Sequence, residues 1–292
     1  MTDALRETPV RLQTRDHLEL FVRRFEQGGT AGSATFVVVP GLGEHSGRYR
    51  HFAAWFAARG VRSYVVDLRG HGHSGGARGH APSLTALLDD LDLVVARAAD
   101  EASSRITLVG HSTGALIAIA YALDRPQRLD GAVFSAPALR LRVRVPAWKR
   151  ALARVTPALV PTLALRTGLD AGGLSRDRAV VDAYRQDPLV HDWITARFNA
   201  ETFARGEGLI ARAGELRVPF LMLQGGSDPI VDPSGTTRFF ERAQAPGRAL
   251  RVYPSLYHEI FNEPEQAQVF ADIEDWLTQR RAQKDAGWNP PP

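Results

Sequence analysis

Residues 105–116 read RITLVGHSTGAL, with a serine between two glycines where one kind of local structure gives way to another. Ile106–Val109 is apolar and rich in β-branched residues, which predicts a buried strand, while Ala115–Leu123 is a run of small and apolar helix formers. At such a junction the pattern G-x-S-x-G predicts a tight turn, because the glycines let the backbone bend until the serine hydroxyl stands exposed. The stretch therefore predicts a nucleophile, Ser112, at the end of a strand.

The rest of the chain repeats this alternation of strand and helix. In Ser83–Glu101 apolar residues recur at steps of three and four, the stripe of a helix that packs on a sheet. Other predicted helices are Phe52–Ala58, Ala115–Leu123, Thr236–Ala243 and Gln266–Leu277. Predicted strands are Leu18–Phe25, Thr35–Val39, Val61–Asp67, Arg105–Val109, Gly131–Ser135, Pro219–Gln224 and Ala249–Tyr253. This order predicts an α/β fold, a mostly parallel central sheet with helices on both faces.

One long segment interrupts the alternation. Between 138 and 217 the sequence has several helical patterns, broken by prolines and glycines, and no convincing strand. A structureless loop of that length is rare in a compact domain, so we expect an inserted helical cap. The predicted organisation is a core in two parts, 1–137 and 218–282, a cap at 138–217, and a disordered tail at 283–292.

Composition excludes several classes of function. The 292 residues carry a net charge of +4, but only two of the 36 basic residues are lysines and the arginines are interleaved with acids and alanines, which disfavours nucleic-acid binding. The absence of cysteine excludes disulfides and thiolate nucleophiles. The charged N-terminus lacks the apolar core of a signal peptide, and the longest apolar run is too short to span a bilayer. We therefore expect a cytoplasmic protein.

A serine nucleophile needs a base and an acid that orients the base. On scaffolds with this elbow the chain order is serine, acid, histidine. Only His191 and His258 follow Ser112, and His191 lies inside the predicted cap, which leaves His258 on the loop after the last strand. Asp228 is the first acid beyond the strand Pro219–Gln224. Asp232 is a minor alternative, because it precedes a proline where a helix N-cap is expected.

The reaction also needs two backbone N–H groups for the oxyanion that forms. Thr113, the residue after the nucleophile, supplies one. Leu42 is predicted to supply the other, because it lies between Gly41 and Gly43 on the loop after the strand Thr35–Val39.

Five motifs in this order resemble the monoacylglycerol lipase and lysophospholipase family of capped α/β-hydrolases: GLGEHSGRY (41–49), DLRGHGHSG (67–75), GHSTG (110–114), YRQDPL (184–189) and YHE (257–259). The resemblance extends from about residue 10 to 280. It implies a serine hydrolase with a triad of Ser112, Asp228 and His258, an oxyanion hole from Leu42 and Thr113, and a cap with an apolar tunnel for an acyl chain. It also implies that Arg48 and Tyr184 lie near the polar head group of the substrate. Pro40 replaces the histidine usual in the family, Thr113 replaces a methionine, and Phe261 stands where animal members carry a second histidine.

The predicted activity is hydrolysis of monoacylglycerols or similar single-chain lipid esters, with no cofactor and no metal. A general esterase for short-chain esters, a peptidase and a non-catalytic binding protein are the alternatives. His71, His73 and His80 lie close in sequence, but without cysteines or a nearby acid they do not predict a metal site. Residues 140–166 hold seven basic residues among apolar ones and no acid, which suits either contact with an anionic lipid surface or an arginine-decorated helix that covers a core.

Overall fold

The computed structural model describes residues 4–28, 34–101, 106–142 and 155–285. Its strands are β1 (Leu5–Gln13), β2 (Glu19–Gln27), β3 (Ala34–Val39), β4 (Val61–Val66), β5 (Ile106–His111), β6 (Leu129–Ser135), β7 (Ala164–Arg166), β8 (Trp193–Thr195), β9 (Phe220–Gly225) and β10 (Ala249–Tyr253). Its α-helices are α1 (Arg50–Ala57), α2 (Leu84–Asp100), α3 (Thr113–Asp124), α4 (Arg178–Gln186), α5 (Ala196–Glu201), α6 (Gly206–Ala211), α7 (Pro233–Arg242) and α8 (Gln266–Asp285).

Eight strands form the central sheet, in the order β1-β2-β4-β3-β5-β6-β9-β10. From β4 to β10 all neighbours are parallel, and β1 and β2 are antiparallel additions at one edge. The inner strands β3 and β5 are buried along their whole length, as expected for parallel strands covered on both faces. The predicted α/β fold is therefore confirmed.

Two apolar layers hold the helices against the sheet. On one face α2, α3 and α7 bury side chains such as Leu91, Leu116 and Phe239. On the other face α1 and α8 bury Phe52 and Phe270, whose rings meet edge to face. Because both faces are filled, the carboxyl ends of the parallel strands are left as the place where loops can build a site.

The cap departs from the prediction in one respect. β7 and β8 lie between β6 and β9 in the sequence and pair with each other, antiparallel, in a separate small sheet. The expectation that 138–217 holds no strand is therefore wrong. Each strand has only three residues, too few for a period-2 pattern to be visible in the sequence. The cap also contains α4, α5 and α6. Residues 143–154, which include part of the basic segment, lie outside the described residues, and the boundaries at 138 and 217 stay a prediction.

Both ends of the chain also differ from expectation. β1 was not predicted; it is an edge strand that accommodates Pro9 and exposes alternate side chains. α8 continues to Asp285, so the prediction of a disordered tail is wrong for residues 283–285. The sequence after Leu277 contains good helix formers and no breaker before Gly287. Residues 1–3 and 286–292 lie outside the described part. Among the residues that are described, none of the helices combines the length and hydropathy of a bilayer span.

Candidate active site

Ser112 occupies the turn between β5 and α3. Its backbone has φ 54° and ψ −119°, a conformation that residues with side chains rarely adopt. A Cβ on Gly114 would lie 2.1 Å from the carbonyl oxygen of Val39, and a Cβ on Gly110 would lie 2.6 Å from that of Gly114. The two glycines are therefore required by close backbone contacts, and they allow the strained turn that presents the serine.

His258 links Ser112 to Asp228. Its Nε2 lies 2.9 Å from Oγ of Ser112, and its Nδ1 lies 2.8 Å from Oδ2 of Asp228. His258 lies on the loop between β10 and α8, and Asp228 follows β9, so side chains far apart in sequence meet at the carboxyl ends of the parallel strands. A hydroxyl, an imidazole and a carboxylate in this order can activate the hydroxyl as a nucleophile.

The carboxyl group of Asp228 is fully buried and held by four donors. Its Oδ1 accepts from the backbone N–H groups of Ile230 (2.8 Å) and Val231 (2.9 Å), and Oδ2 also accepts from Nε2 of Gln224 at 3.2 Å. Burial alone would raise the pKa of Asp228, but the charge of His258 and these hydrogen bonds outweigh it and lower the pKa. The carboxylate is thus ionised at neutral pH.

His258 is the basic group of this set. Burial alone would lower the pKa of His258, but the charge of Asp228 and its hydrogen bond outweigh burial and raise the pKa. The ring of His111 lies 4.9 Å from that of His258. Burial lowers the pKa of His111 to about 4, so this second imidazole stays neutral at pH 7. The positive charge that forms during proton transfer is therefore stabilised on His258.

Two residues around the carboxylate have different roles. Asp232, the alternative acid, caps α7: its side chain accepts from the N–H of Ser234 at 3.0 Å. Gln224 was missed by sequence reasoning, although a polar residue near the end of an apolar strand was a signal. Oε1 of Gln224 accepts from the hydroxyl of Thr236 at 2.7 Å, which turns its amide toward Asp228.

The loop after β3 runs directly past the serine. A Cβ on Gly41 would lie 3.2 Å from Cβ of Ser112. Leu42 and Thr113 line the same cavity as Ser112. Within the described residues, no acceptor is bonded to the backbone N–H of Leu42 or Thr113. Both donors are therefore free to bind a developing oxyanion.

Three buried ionisable side chains, Glu44, Arg48 and Glu259, lie beside the histidine and are called here the carboxyl cluster. Arg48 Nη1 lies 3.3 Å from Glu44 Oε1, and Nη2 lies 2.7 Å from Glu259 Oε2. Glu44 Oε2 also accepts from the N–H of Gly41 and the hydroxyl of Tyr49, both at 2.8 Å. Arg48 thus ties the loop that carries Leu42 to the loop that carries His258. Sequence reasoning did not assign Glu44 or Glu259, although both stand in the quoted motifs.

A cavity of about 580 Å³ lies above Ser112, within the size range of ligand sites. Its apolar lining comes from both the cap and the core: Leu42, Leu141, Leu169, Leu174, Ile194, Phe203 and Ile230. At its polar end it is lined by Glu44, Glu259 and Tyr184. Arg48 lies behind this wall, with its guanidinium 4.6 Å from the ring centre of Tyr184. The structure therefore places Tyr184 on the cavity and Arg48 in contact with the groups that line it.

The cap is bonded to the loop that carries Leu42. The N–H of His191 donates to the carbonyl of Gly43 at 3.1 Å, and Nε2 of His45 lies 2.8 Å from Oδ2 of Asp187. Nε2 of His191 lies 3.0 Å from the carbonyl oxygen of Gly70. His191 thus attaches the cap, and both of its ring nitrogens lie within hydrogen-bond distance of backbone groups, those of Gly70 and Trp193.

Known proteins resemble this chain over most of its length. A family model described as Serine aminopeptidase, S33 (Hydrolase_4) matches residues 31–265. The chain is 37% identical to a monoacylglycerol lipase of Mycolicibacterium smegmatis over 82% of this chain and 86% of that protein. It is 32% identical to the human monoglyceride lipase over 96% of this chain and 93% of that protein. The crystal structure of a monoacylglycerol lipase from Paleococcus ferrophilus superposes with a TM-score of 0.82 at 35% identity, covering 89% of this chain and 99% of that one.

The family match extends over most of the chain, including both halves of the sheet, the cap and the loops that carry Ser112, Asp228 and His258. The relatives named above match the chain at 32–37% identity over 82–96% of its length. The chain is therefore a member of the Hydrolase_4 family of serine hydrolases, within the α/β-hydrolases that include the monoacylglycerol lipases.

Proposed function

We propose that this protein hydrolyses monoacylglycerols or similar single-chain lipid esters through an acyl-enzyme on Ser112. The observation that carries the proposal is the hydrogen-bonded series Ser112, His258, Asp228 at the base of a largely apolar cavity of about 580 Å³. An apolar cavity of this size suits an acyl chain, and its polar end suits a hydroxylated head group. The relatives named as monoacylglycerol lipases support the same substrate class.

The proposed reaction has two halves. His258 takes the proton of the Ser112 hydroxyl as the oxygen attacks the ester carbonyl, and the N–H groups of Leu42 and Thr113 bind the resulting oxyanion. The alcohol then leaves with the proton from His258, and the acyl group stays on Ser112. Water, deprotonated by His258, attacks the acyl-enzyme in the same way and releases the fatty acid. Asp228 keeps Nδ1 of His258 protonated throughout.

Tyr184 and Arg48 act at the head-group end in this proposal. The hydroxyl of Tyr184 contacts the head group directly from the cap. Arg48 acts through Glu44 and Glu259, the carboxyl groups that line the cavity.

Removal of the nucleophile tests the proposal. Ser112→Ala should lower turnover of a monoacylglycerol by about four to six orders of magnitude while leaving the fold intact. Ser234→Ala, on the surface helix α7, is the control and should keep normal turnover. A fluorophosphonate probe should label the wild-type protein and the control but not Ser112→Ala. Near-normal turnover of Ser112→Ala would overturn the assignment, and wild-type protein that resists labelling would favour a non-catalytic binding protein.

The chain-length profile separates the lipase from the other hydrolases. Rates on monoacylglycerols and p-nitrophenyl esters should rise with acyl length, because more apolar surface is buried in the cavity. A profile that is flat or confined to short chains would favour a general esterase. Cleavage of peptides with a free amino terminus would favour a peptidase, although the carboxyl groups that line the cavity at Glu44 and Glu259 already have Arg48 as a partner.

We further propose that the cap docks on anionic lipid surfaces, from which the substrate enters. The cap exposes large apolar side chains, with Leu159 at 74% and Leu165 at 59% exposure. Arg166 and Arg142 lie on the same segment of chain. Apolar side chains flanked by arginines suit insertion at a charged membrane interface.

The sequence-based expectation of a cytoplasmic protein stays a prediction.

Vesicle binding tests this docking. Replacing Leu159 and Leu165 together by serine should weaken binding to vesicles of anionic phospholipid by about tenfold or more. Val252→Ser is the matched control, because Val252 is also about half exposed (48%) but lies on β10, outside the cap. About 1 M salt should weaken wild-type binding as well. Equal binding by all three proteins, or binding unaffected by salt, would contradict the proposal.

A further inference from the structure

The polar end of the cavity contains two buried carboxyl groups and one guanidinium group. Glu44 and Glu259 are 4% and 1% exposed, yet both line the cavity together with Ser112 and His258. Arg48 bonds to both of them. Two carboxylates in one buried site repel each other, which favours a proton on one of them.

The contacts indicate which carboxyl group is ionised. Glu44 accepts hydrogen bonds from the N–H of Gly41 and the hydroxyl of Tyr49, as well as from Arg48, so its charge is well stabilised. Glu259 uses Oε2 for Arg48 and for the amide of Asn262. Its other oxygen, Oε1, is buried and meets no donor among the described residues. A buried oxygen without a donor disfavours the carboxylate and favours the carboxylic acid, so the proton belongs on Glu259.

The pKa directions agree with this assignment. Burial alone would raise the pKa of Glu44, but Arg48 and the hydrogen bonds outweigh burial and lower the pKa. For Glu259 burial is the largest cause and Glu44 adds to it, so that its pKa rises to about 7 in spite of Arg48. Like charges that share one buried site are expected to separate in this way.

Other titratable groups surround Glu259 on every side. They are Glu44, Arg48 and Tyr49 from the loop and helix after β3, His111 from β5, Tyr184 from the cap and His258 from its own loop. His51 lies beyond Arg48, and burial lowers its pKa. Burial keeps His111 neutral and raises the pKa of both tyrosines, so none of these three changes charge between about pH 5.5 and about pH 8.5.

We propose that Glu259 is a specificity residue whose single proton sets the charge of the head group that the cavity accepts. The inference rests on the proposed ester hydrolysis. With Glu259 protonated, the carboxyl cluster is neutral, because the charges of Glu44 and Arg48 cancel. With Glu259 ionised the cluster carries one net negative charge against the cavity. Uncharged hydroxylated head groups bind in both states. A cationic head group is attracted by the cluster only when Glu259 is ionised.

Two matched esters measure this effect. Lauroylcholine carries a quaternary ammonium head group, and the dimethylbutyl ester of lauric acid has the same shape without the charge. The quantity to measure is the ratio of kcat/KM for the cationic ester to that for the neutral ester. Titration of His258 changes both rates alike and cancels in the ratio. For the wild-type protein we expect the ratio to rise about tenfold between about pH 5.5 and about pH 8.5.

Two substitutions assign the effect to the carboxyl cluster. Glu259→Gln keeps the shape of the side chain and removes the titration, so the ratio should become independent of pH. Glu44→Gln leaves Glu259 alone with Arg48, which keeps Glu259 ionised and should also give a constant ratio. Asp182→Asn, a surface carboxyl on α4, is the control and should keep the wild-type rise. Circular dichroism and thermal unfolding establish that each variant is folded.

The outcomes separate the two proposals. A constant ratio in the wild-type protein would overturn the inference, and so would an unchanged rise in Glu259→Gln. If monolauroylglycerol and both test esters were all left uncleaved, the proposed function would fail and the inference with it. If monolauroylglycerol were cleaved with the ratio unaffected by pH, only the inference would fail.

Discussion

Substitution Asp228→Asn should remove most of the activity while keeping the fold. Oδ1 of Asp228 accepts two backbone N–H groups, so the oxygen of an asparagine must occupy that position. Its NH₂ group is then forced into the place of Oδ2, facing Nδ1 of His258 at 2.8 Å. A donor there requires Nδ1 to be unprotonated, which moves the proton to Nε2. His258 would then donate to Ser112 and could no longer accept its proton.

The size of the loss follows from the same distance. With 2.8 Å between Nδ1 and Oδ2, the centres of charge of the imidazolium and the carboxylate are about 4 Å apart, which at an effective dielectric constant of about 20 amounts to about 4 kcal/mol. Loss of that stabilisation in the transition state lowers turnover about 10³-fold. The unfavourable tautomer adds about another factor of ten, giving about 10⁴ in total.

The assay is steady-state kcat and kcat/KM on a p-nitrophenyl ester and a monoacylglycerol, with fluorophosphonate labelling as a second readout of Ser112 reactivity. Asp232→Asn is the matched control. It changes the neighbouring acid in the same way, and because asparagine is an equally good N-cap, turnover should change less than about twofold. Should Asp228→Asn retain activity within about tenfold of wild type, or Asp232→Asn prove the more damaging, the role given to Asp228 would be wrong.

Three further predictions concern stability. Gly114→Ala should lower the free energy of unfolding by about 2–4 kcal/mol in urea titrations, because its Cβ would lie 2.1 Å from the carbonyl oxygen of Val39. Gly208→Ala, which meets nothing within 4 Å, should be neutral or slightly stabilising. The pKa of Glu259 is raised to about 7 in the folded state, so its stabilising contribution is complete below its unfolded pKa of about 4.3 and is lost as pH rises toward 7. Relative to Glu259→Gln, the free energy of unfolding of the wild-type protein should therefore fall by about 1–3 kcal/mol over that interval. If the unfolding free energies of the two proteins changed in parallel with pH, the assignment would be refuted. Arg48→Met should lower the free energy of unfolding by about 3–5 kcal/mol near pH 8 and by less near pH 5, because the unpaired carboxyl groups take up protons at the lower pH. A loss of stability that is independent of pH would contradict this.

The sequence predicted the elements that local patterns encode. The alternation of apolar strands and amphipathic helices was enough for the α/β fold, because burial of both sheet faces imposes that pattern on the strands themselves. Ser112 was located by its two flanking glycines. His258 and Asp228 followed from their positions just after predicted strands, since parallel strands bring their carboxyl ends to one edge of the sheet.

Other features depend on contacts between distant segments and leave no local pattern. β7 and β8 are three residues each and exist only because they pair across the cap. Arg48 was expected at the head group from resemblance, and the tertiary structure places it behind the cavity wall, between Glu44 and Glu259.

The sequence by itself thus determined the fold and the order of the nucleophile, acid and base, because spacing and periodicity are properties of the chain. Only the tertiary structure decided how the buried charges pair and which carboxyl group holds a proton. The physical reason is that a pKa depends on burial and on distances through space, and neither is fixed by separation along the sequence.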